Sequence, residues 1–312
     1  MAPEATVGGQ AVIEGVMMRA PTGWAVAVRT PEGDIDAQSH ELPRLSSRSV
    51  WARVPLIRGV MVLVESLTLG YKALSWSAVK AGGEEEKPIT KGEIVGSMAI
   101  ALIFGLGLFL LLPVLVSGWL VGEESSLLFN ATEGLLRLVI FVAYIWAIGR
   151  SKEIKRVFEY HGAEHMSIHA YEAGEPLSVE SVSRHRPEHP RCGTSFLLLV
   201  VLLSILVFSF LGTPDWPILI SSRILGVPVI AGISYEILRF SGLSGQEWLA
   251  GIIAAPGLWL QRLTTGVPED DQIEVAITSL LSALEDEQVA ELEVRGSIPE
   301  IALSSRARRP AV

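Results

Sequence analysis

Cysteine is nearly missing from this 312-residue chain. Cys192 stands alone, which excludes an internal disulfide and suits a reducing compartment. Charge is scarce as well: 19% of residues are charged against 49% hydrophobic, and mean hydropathy is +0.42. That balance excludes a disordered, collagen-like or disulfide-scaffold chain, and it is too apolar for an ordinary soluble domain. Basic runs and aromatic ladders are lacking, and the formal net charge is −9, so no nucleic-acid partner is expected. The first 90 residues contain Arg19, Arg29, Arg44, Arg48, Arg53 and Arg58 with no early apolar core, so no cleavable signal peptide is read. The first spanning helix is expected to act as the membrane signal.

Long apolar runs are what the chain has. Ile94 to Gly122 is 29 residues without a charge and Gly193 to Pro214 is 22 more. About 20 residues at 1.5 Å each cross a hydrocarbon core of roughly 30 Å. The fold class read from this is mainly α: a polytopic α-helical membrane protein of about four spans, with a small N-terminal β-containing cytoplasmic region. The lipid bilayer is its expected partner. The spans are Ile94–Gly122, kinked near Pro113, then Leu127–Gly149, Gly193–Gly212 and a fourth over residues 218–238 that carries Pro228. Trp248–Gln261 contains Pro256-Gly257 and is too short to span comfortably, so it reads as interfacial or re-entrant.

Three regions follow. Residues 1–92 hold a β-hairpin, with Ala25–Arg29 alternating like a half-buried strand and Thr30-Pro31-Glu32-Gly33 as its turn. Gly8–Arg19 is read as a turn and strand of the same sheet, with a ligand-touching loop as the alternative. In Trp51–Val79 the charges Arg53, Arg58, Glu65 and Lys72 confine themselves to one helical stripe, as in a helix lying at the membrane interface; a charged stripe buried in a helix pair competes. Gly82–Pro88 reads as a solvated linker. Residues 93–265 are the transmembrane domain with a histidine-rich cytoplasmic segment at 150–192. Residues 266–312 supply an amphipathic helix over Ile273–Leu284 and a disordered last dozen residues.

Lys and Arg set the orientation. Ten lie before the first span and seven between residues 150 and 192, whereas the loops near 123–137 and 213–223 hold only Arg137 and Arg223. Both termini and the 150–192 segment are therefore expected on the cytoplasmic side of a bacterial inner membrane. Glu133, Arg137, Arg223, Glu236 and Glu247 sit at or near membrane depth, facing partners or snorkelling to headgroups; Glu133 and Arg137, one turn apart, are expected to pair.

Five of the six histidines, His161, His165, His169, His185 and His189, share the 150–192 segment with Cys192. At its centre is His161-Gly162-Ala163-Glu164-His165. On a helix, residues i and i+4 stack, so both imidazoles can reach one cation and Glu164 is placed to deprotonate a water it holds. This is the spacing of the inverted zincin motif. His169 lies about 12 Å of rise from His161, too far for one zinc to take all three. Further ligands are expected from Pro187–Gly193, which offers His189 and Cys192. A catalytic site uses one of these and keeps an open position; a structural site takes both and closes; on a third reading the histidines bind nothing specifically and face solvent or headgroups. Cys192 as a nucleophile with His189 as base, or as a small packing residue, also stays open.

Together, His161–His165, Pro190–Phe196, Gly8–Arg19, Ala231–Glu236 and Pro256–Thr265 resemble the YqhQ-like family of uncharacterised bacterial membrane proteins, from about residue 8 to residue 284. The family's usual description, a predicted metal-dependent enzyme, implies His161, Glu164 and His165 as site residues, with His189 and Cys192 as companions. His169 lies outside the matching block. The function expected is a zinc-dependent hydrolase at the cytoplasmic face, with a divalent cation as cofactor and Glu164 as general base; the alternative is a membrane scaffold or assembly factor with a structural metal or none. A transporter would need an internal repeat that the sequence does not display. Substrate, protein partner and oligomeric state are not legible.

Overall fold

In the computed structural model the described residues are 7–42, 50–82, 91–122, 125–211, 215–243 and 247–308. Four strands, β1 (Gly8–Val12), β2 (Gly15–Arg19), β3 (Gly23–Arg29) and β4 (Ile35–Glu41), form an antiparallel meander in chain order. Gly33, at φ +96°, closes the expected β3–β4 turn, and the 8–19 segment joins as two more strands. The two-residue β1–β2 turn puts Glu14 at φ +49°, where a side chain costs about 1 kcal/mol. Arg156 offsets that cost, donating from Nε and Nη2 to the two Glu14 carboxylate oxygens at 2.6 and 2.5 Å.

The alternation in β3 sorts residues by size, because both faces are covered. Ala25 and Ala27 face one core, with Ile273, Ile277 and Leu280; Trp24, Val26 and Val28 face another, with Leu69 and Ala73. The expectation of a half-buried strand is thereby corrected. Alanines on one face let a helix approach closely, and that helix is the C-terminal α10 named below.

Helix α1 (Ile57–Gly82) covers the second face, and its charges divide. Glu65, 3% exposed, accepts from Arg19 at 2.9 Å, and Arg58 pairs with Glu236. Lys72 stays exposed. Ile57, Val64, Leu67 and Leu74 form an exposed apolar stripe opposite the sheet, the arrangement of a helix lying in a membrane interface. Of the expected linker, residues 83–88 lie outside the described residues.

Four candidate spans follow: Ala99–Val121, Ser126–Ile148, Gly193–Phe210 and Trp216–Ser241. The first comprises α2 (Lys91–Leu106), a π-helical turn over Gly107–Leu111 and α3 (Leu112–Val121). Pro113 has no N–H for the carbonyl of Phe109 four residues earlier. Arg137, on α4 (Ser126–Ile148), supplies one instead, donating from Nε at 3.0 Å. Arg137 also pairs with Glu133 as expected, and donates to Ser204 Oγ at 3.0 Å. Glu133 is shared with Arg223, which is wholly buried, donates to its Oε2 at 2.8 Å and to Asn130 Oδ1 at 2.7 Å, and lies over the Phe208 ring. The carboxylate thus ties together α4, α7 (Gly193–Leu211) and α8 (Trp216–Leu243).

Between these spans lie α5 (Lys152–Ala173) and the short α6 (Val179–Val182). After them, α9 (Glu247–Thr264) packs on α7, with Gly257 meeting Ser195 so closely that a Cβ would lie 2.0 Å from its Oγ. The side chain of Glu247 lies outside the described residues. Helix α10 (Asp270–Ala283) is set against both the sheet and α5, so the C-terminal region belongs to the same layer as the N-terminal one. Helices α11 (Asp286–Arg295) and α12 (Glu300–Ser304) complete the chain. The expected disorder of the last dozen residues does not hold through residue 308: Arg306 Nε donates to Leu281 O at 2.9 Å and Ala307 N to Ser282 Oγ at 3.1 Å. Residues 309–312 lie outside the described ones.

Candidate metal centre

Helix α5 begins at a Ser151 cap, whose Oγ accepts from Ile154 N, and ends at left-handed Gly174. Its central turn is covered on all sides. Gly162 is required there because the chain crosses at Gly266, whose carbonyl oxygen would stand 2.0 Å from a Cβ. Ala163 is fully buried in the core shared with the sheet and α10.

His161 and His165 come off the same face, their ring centroids 4.4 Å apart. His161 Nδ1 lies 2.8 Å from Thr264 O, and His165 Nδ1 lies 2.5 Å from Pro187 O. A carbonyl oxygen only accepts, so each Nδ1 carries a proton, and in His165, which burial keeps neutral, Nε2 holds a bare lone pair. His165 Nε2 is buried and has no partner among the described residues, and His161 Nε2 lies 3.1 Å from Cys192 Sγ. The ligand atoms of His161, His165 and Cys192 all lie within 4.8 Å of one another. Bonds of 2.0–2.3 Å to a tetrahedral zinc put such atoms about 3.5 Å apart, so closing on an ion asks for movements of about 1 Å. Imidazoles held through Nδ1 to backbone carbonyls are what metal-binding histidines use to fix tautomer and aim. The residues fit a zinc-like cation: two imidazoles each fixed through Nδ1, one thiol, and a buried His165 Nε2 with no hydrogen-bond partner among the described residues.

Burial sets the electrostatics. It pushes the His165 imidazole down to about 2, keeping it neutral, and raises the Cys192 thiol, against which Thr194 works by donating to the sulfur. It also pushes the Glu164 carboxyl up to about 8, with His161 and the Gly9 N–H opposing. Glu164 is 4% exposed and its Oε2 has no hydrogen-bond partner among the described residues. Strand β1 seals it: a Cβ on Gly9 would stand 3.0 Å from the Glu164 side chain.

The structure leaves His189 outside this triad. Its ring is 5.7 Å from His165 and 4.5 Å from His169, its Nε2 lies 3.5 Å from Glu172 Oε2, and burial lowers it to about 4. The loop carrying it is clamped by Gln261, which accepts from His189 N at 2.7 Å and donates to His189 O at 3.0 Å. His169 donates to Glu188 O at 2.9 Å and stacks near His185. Sequence reasoning missed Gln261, the Thr264 carbonyl and Gly9. All three lie inside blocks that carry the family resemblance, but nothing in their chemistry announces a role beside histidines some 70 to 150 residues away.

The family model described as "Protein of unknown function (DUF1385)" matches residues 54–286. The uncharacterized protein YqhQ of Bacillus subtilis (strain 168) is 32% identical over 305 residues, covering 91% of this chain and 94% of the relative. No solved structure matches the chain. With the model match spanning the membrane helices and the whole histidine segment, and the relative aligned almost end to end, this chain belongs to the DUF1385 family, the family of YqhQ.

Proposed function

We propose that the chain is a metal-dependent hydrolase working at the cytoplasmic face of a bacterial inner membrane, with zinc as the cation that best suits its donors. The observation that carries the reading is the convergence of two Nε2 atoms and one sulfur, each imidazole fixed through its other nitrogen. His161, His165 and Cys192 would hold the cation, and three protein ligands leave a fourth position for substrate or water, the pattern of catalytic and not of structural sites. Bound there, a divalent cation supplies Lewis acidity that polarises a substrate oxygen and acidifies a water. Glu164, next to His165 on α5, would take the proton at its unpartnered Oε2 and return it to the leaving group. Strand β1 covers the carboxylate at Gly9. The asymmetry of Lys and Arg supports the cytoplasmic placement.

The test is elemental analysis of the detergent-purified chain after dialysis against zinc and then buffer. Near one zinc per chain is expected, lost in His161→Ala/His165→Ala and in Cys192→Ser but kept in His189→Ala and Glu164→Gln. Hydrolysis of p-nitrophenyl esters and bis(p-nitrophenyl) phosphate should vanish in Glu164→Gln with zinc retained. A parent that takes up no zinc overturns the reading; zinc uptake together with Glu164→Gln activity equal to the parent leaves the scaffold with a structural metal.

A further inference from the structure

Beside the metal triad, and separate from it, an open cleft of about 710 Å³ lies between the α6–α7 loop and α9. Three guanidiniums line it, Arg184, Arg186 and Arg262, with Glu188 as the one carboxylate among them. Arg184 is already paired to Glu180 in solvent. Arg186 and Arg262 are exposed and pair with no carboxylate among the described residues. Glu180 answers Arg184 and Glu175 answers His185, which leaves Arg186 and Arg262 as the guanidiniums in no ion pair among the described residues, in a chain whose formal net charge is −9. A local basic site on an acidic protein is placed against the overall field, which marks it as a place for an anion.

The opposite wall is apolar, with Ala255, Leu258 and Trp259. These belong to a longer stripe along α9: Trp248, Ile252, Ala255, Trp259 and Arg262 recur at three- and four-residue spacing, and all are exposed. An exposed stripe of indoles and an isoleucine that ends in an arginine is how a helix meets hydrocarbon on one side and headgroups on the other. The cleft therefore opens beside a surface suited to acyl chains, and its unpaired guanidiniums lie at that surface's polar end. Guanidinium forks match phosphate oxygens in geometry, and a phosphate that also carries an acyl chain can use both the two arginines and the apolar wall beside them.

We propose that this cleft binds the phosphodiester headgroup of an anionic phospholipid, Arg186 and Arg262 taking the phosphate and the Ala255–Trp259 wall taking the chain. The site stands apart from the metal reading, since neither arginine belongs to the triad.

The test is native mass spectrometry of the detergent-purified full chain with three probes: dioleoyl phosphatidylglycerol, dioleoyl phosphatidylcholine and inorganic phosphate. Parent protein should retain phosphatidylglycerol at least ten-fold better than phosphatidylcholine. Arg186→Gln/Arg262→Gln should abolish that preference, Arg186→Lys/Arg262→Lys should keep part of it, and His161→Ala/His165→Ala should keep all of it. Unchanged thermal unfolding of the Gln variant keeps a loss of binding attributable to the two charges. Equal retention of the two lipids by the parent, or full preference in the Gln variant, would overturn the site. Inorganic phosphate binding as tight as phosphatidylglycerol, and lost in the Gln variant, would overturn the lipid as its source.

Discussion

Glu133→Gln should be among the most damaging single substitutions in the membrane domain. One carboxylate, 1% exposed, serves two guanidiniums there: Arg137 from the same helix and Arg223, fully buried, from α8. The amide keeps the shape and one acceptor, but leaves two buried positive charges uncompensated. Breaking a buried pair from one side costs about 3–5 kcal/mol, and here the single change breaks two. A loss of about 5 kcal/mol rivals the whole stability of many domains and corresponds to a melting point lower by on the order of 10 °C. Arg137 would also loosen from Phe109 O, reopening the carbonyl that Pro113 leaves without a donor. The assay is thermal unfolding of detergent-solubilised protein followed by tryptophan fluorescence. Glu133→Gln combined with Arg137→Met and Arg223→Met should recover much of the loss, because apolar groups of similar size ask for no counter-charge. A Glu133→Gln protein melting within 2 °C of the parent would refute the reasoning, as would a triple variant worse than the single one.

The histidine segment should be acid-labile. His165 and His189, held by burial at about 2 and about 4, refuse the proton that an unfolded histidine takes near 6.5. Stability is therefore full above pH 6.5 and falls as pH drops toward 4, by about 2 kcal/mol for each at pH 5. Denaturation in chelator at pH 7.5 and 5 reads this, and equal midpoints would contradict it. Gly162→Ala, whose Cβ would stand 2.0 Å from Gly266 O, should displace the strand of chain carrying Thr264 and cost about 1–3 kcal/mol with reduced zinc uptake. Gly251→Ala, with nothing within 4 Å, should be neutral or slightly stabilising in the same melt. Gln261→Ala removes both bonds to the His189 peptide, so amide exchange across residues 187–192 should accelerate at least ten-fold; unchanged protection there would show that the loop holds without the clamp.

What could be read from the sequence was whatever has a period or a length. The spans were legible because hydrocarbon thickness fixes their length, and His161 with His165 because a helix fixes the i, i+4 direction. Cys192 was reached by elimination, as one of few donors near a helix that lacked a third ligand. What decides between Cys192 and His189 is the path of the 187–192 loop, and that path is set by Gln261, a polar residue whose sequence neighbourhood reads as an ordinary apolar helix. The β3 strand was misjudged for a similar reason. Alternating Ala and Val looks like one dry face and one wet face until a helix from the far end of the chain, α10, is known to cover the alanines. The tail was misjudged because Ser304-Ser305-Arg306-Ala307-Arg308 has a disordered composition, while a single guanidinium, that of Arg306, ties it to the end of α10.

The placement of the triad has a consequence for how the two layers work together. Helix α5 is fixed from the side of the sheet and α10 by Glu14 on Arg156, by Gly9 on Glu164 and by Gln272 on Glu159. It is fixed from the membrane side by Thr264 at the end of α9 and by the loop that enters α7. Two ligand atoms of the triad ride on α5 and the third stands immediately before Gly193, the first residue of a spanning helix. An ion held by all three would join the layer of sheet, α5 and α10 to the spanning helices across the seam between them. Anything that binds the joined arrangement better than the separated one stabilises it, and by linkage the reverse is also true. A displacement of α7 or α9 by about 1 Å, the same size as the closure the ligands need, is enough to make or break the set. Cation affinity should therefore change with the lipid or detergent around α7 and α9, which a ligand set confined to one layer would not do; zinc titrations in nanodiscs of two bilayer thicknesses that gave identical affinities would show the seam to be rigid and the layers to be independent.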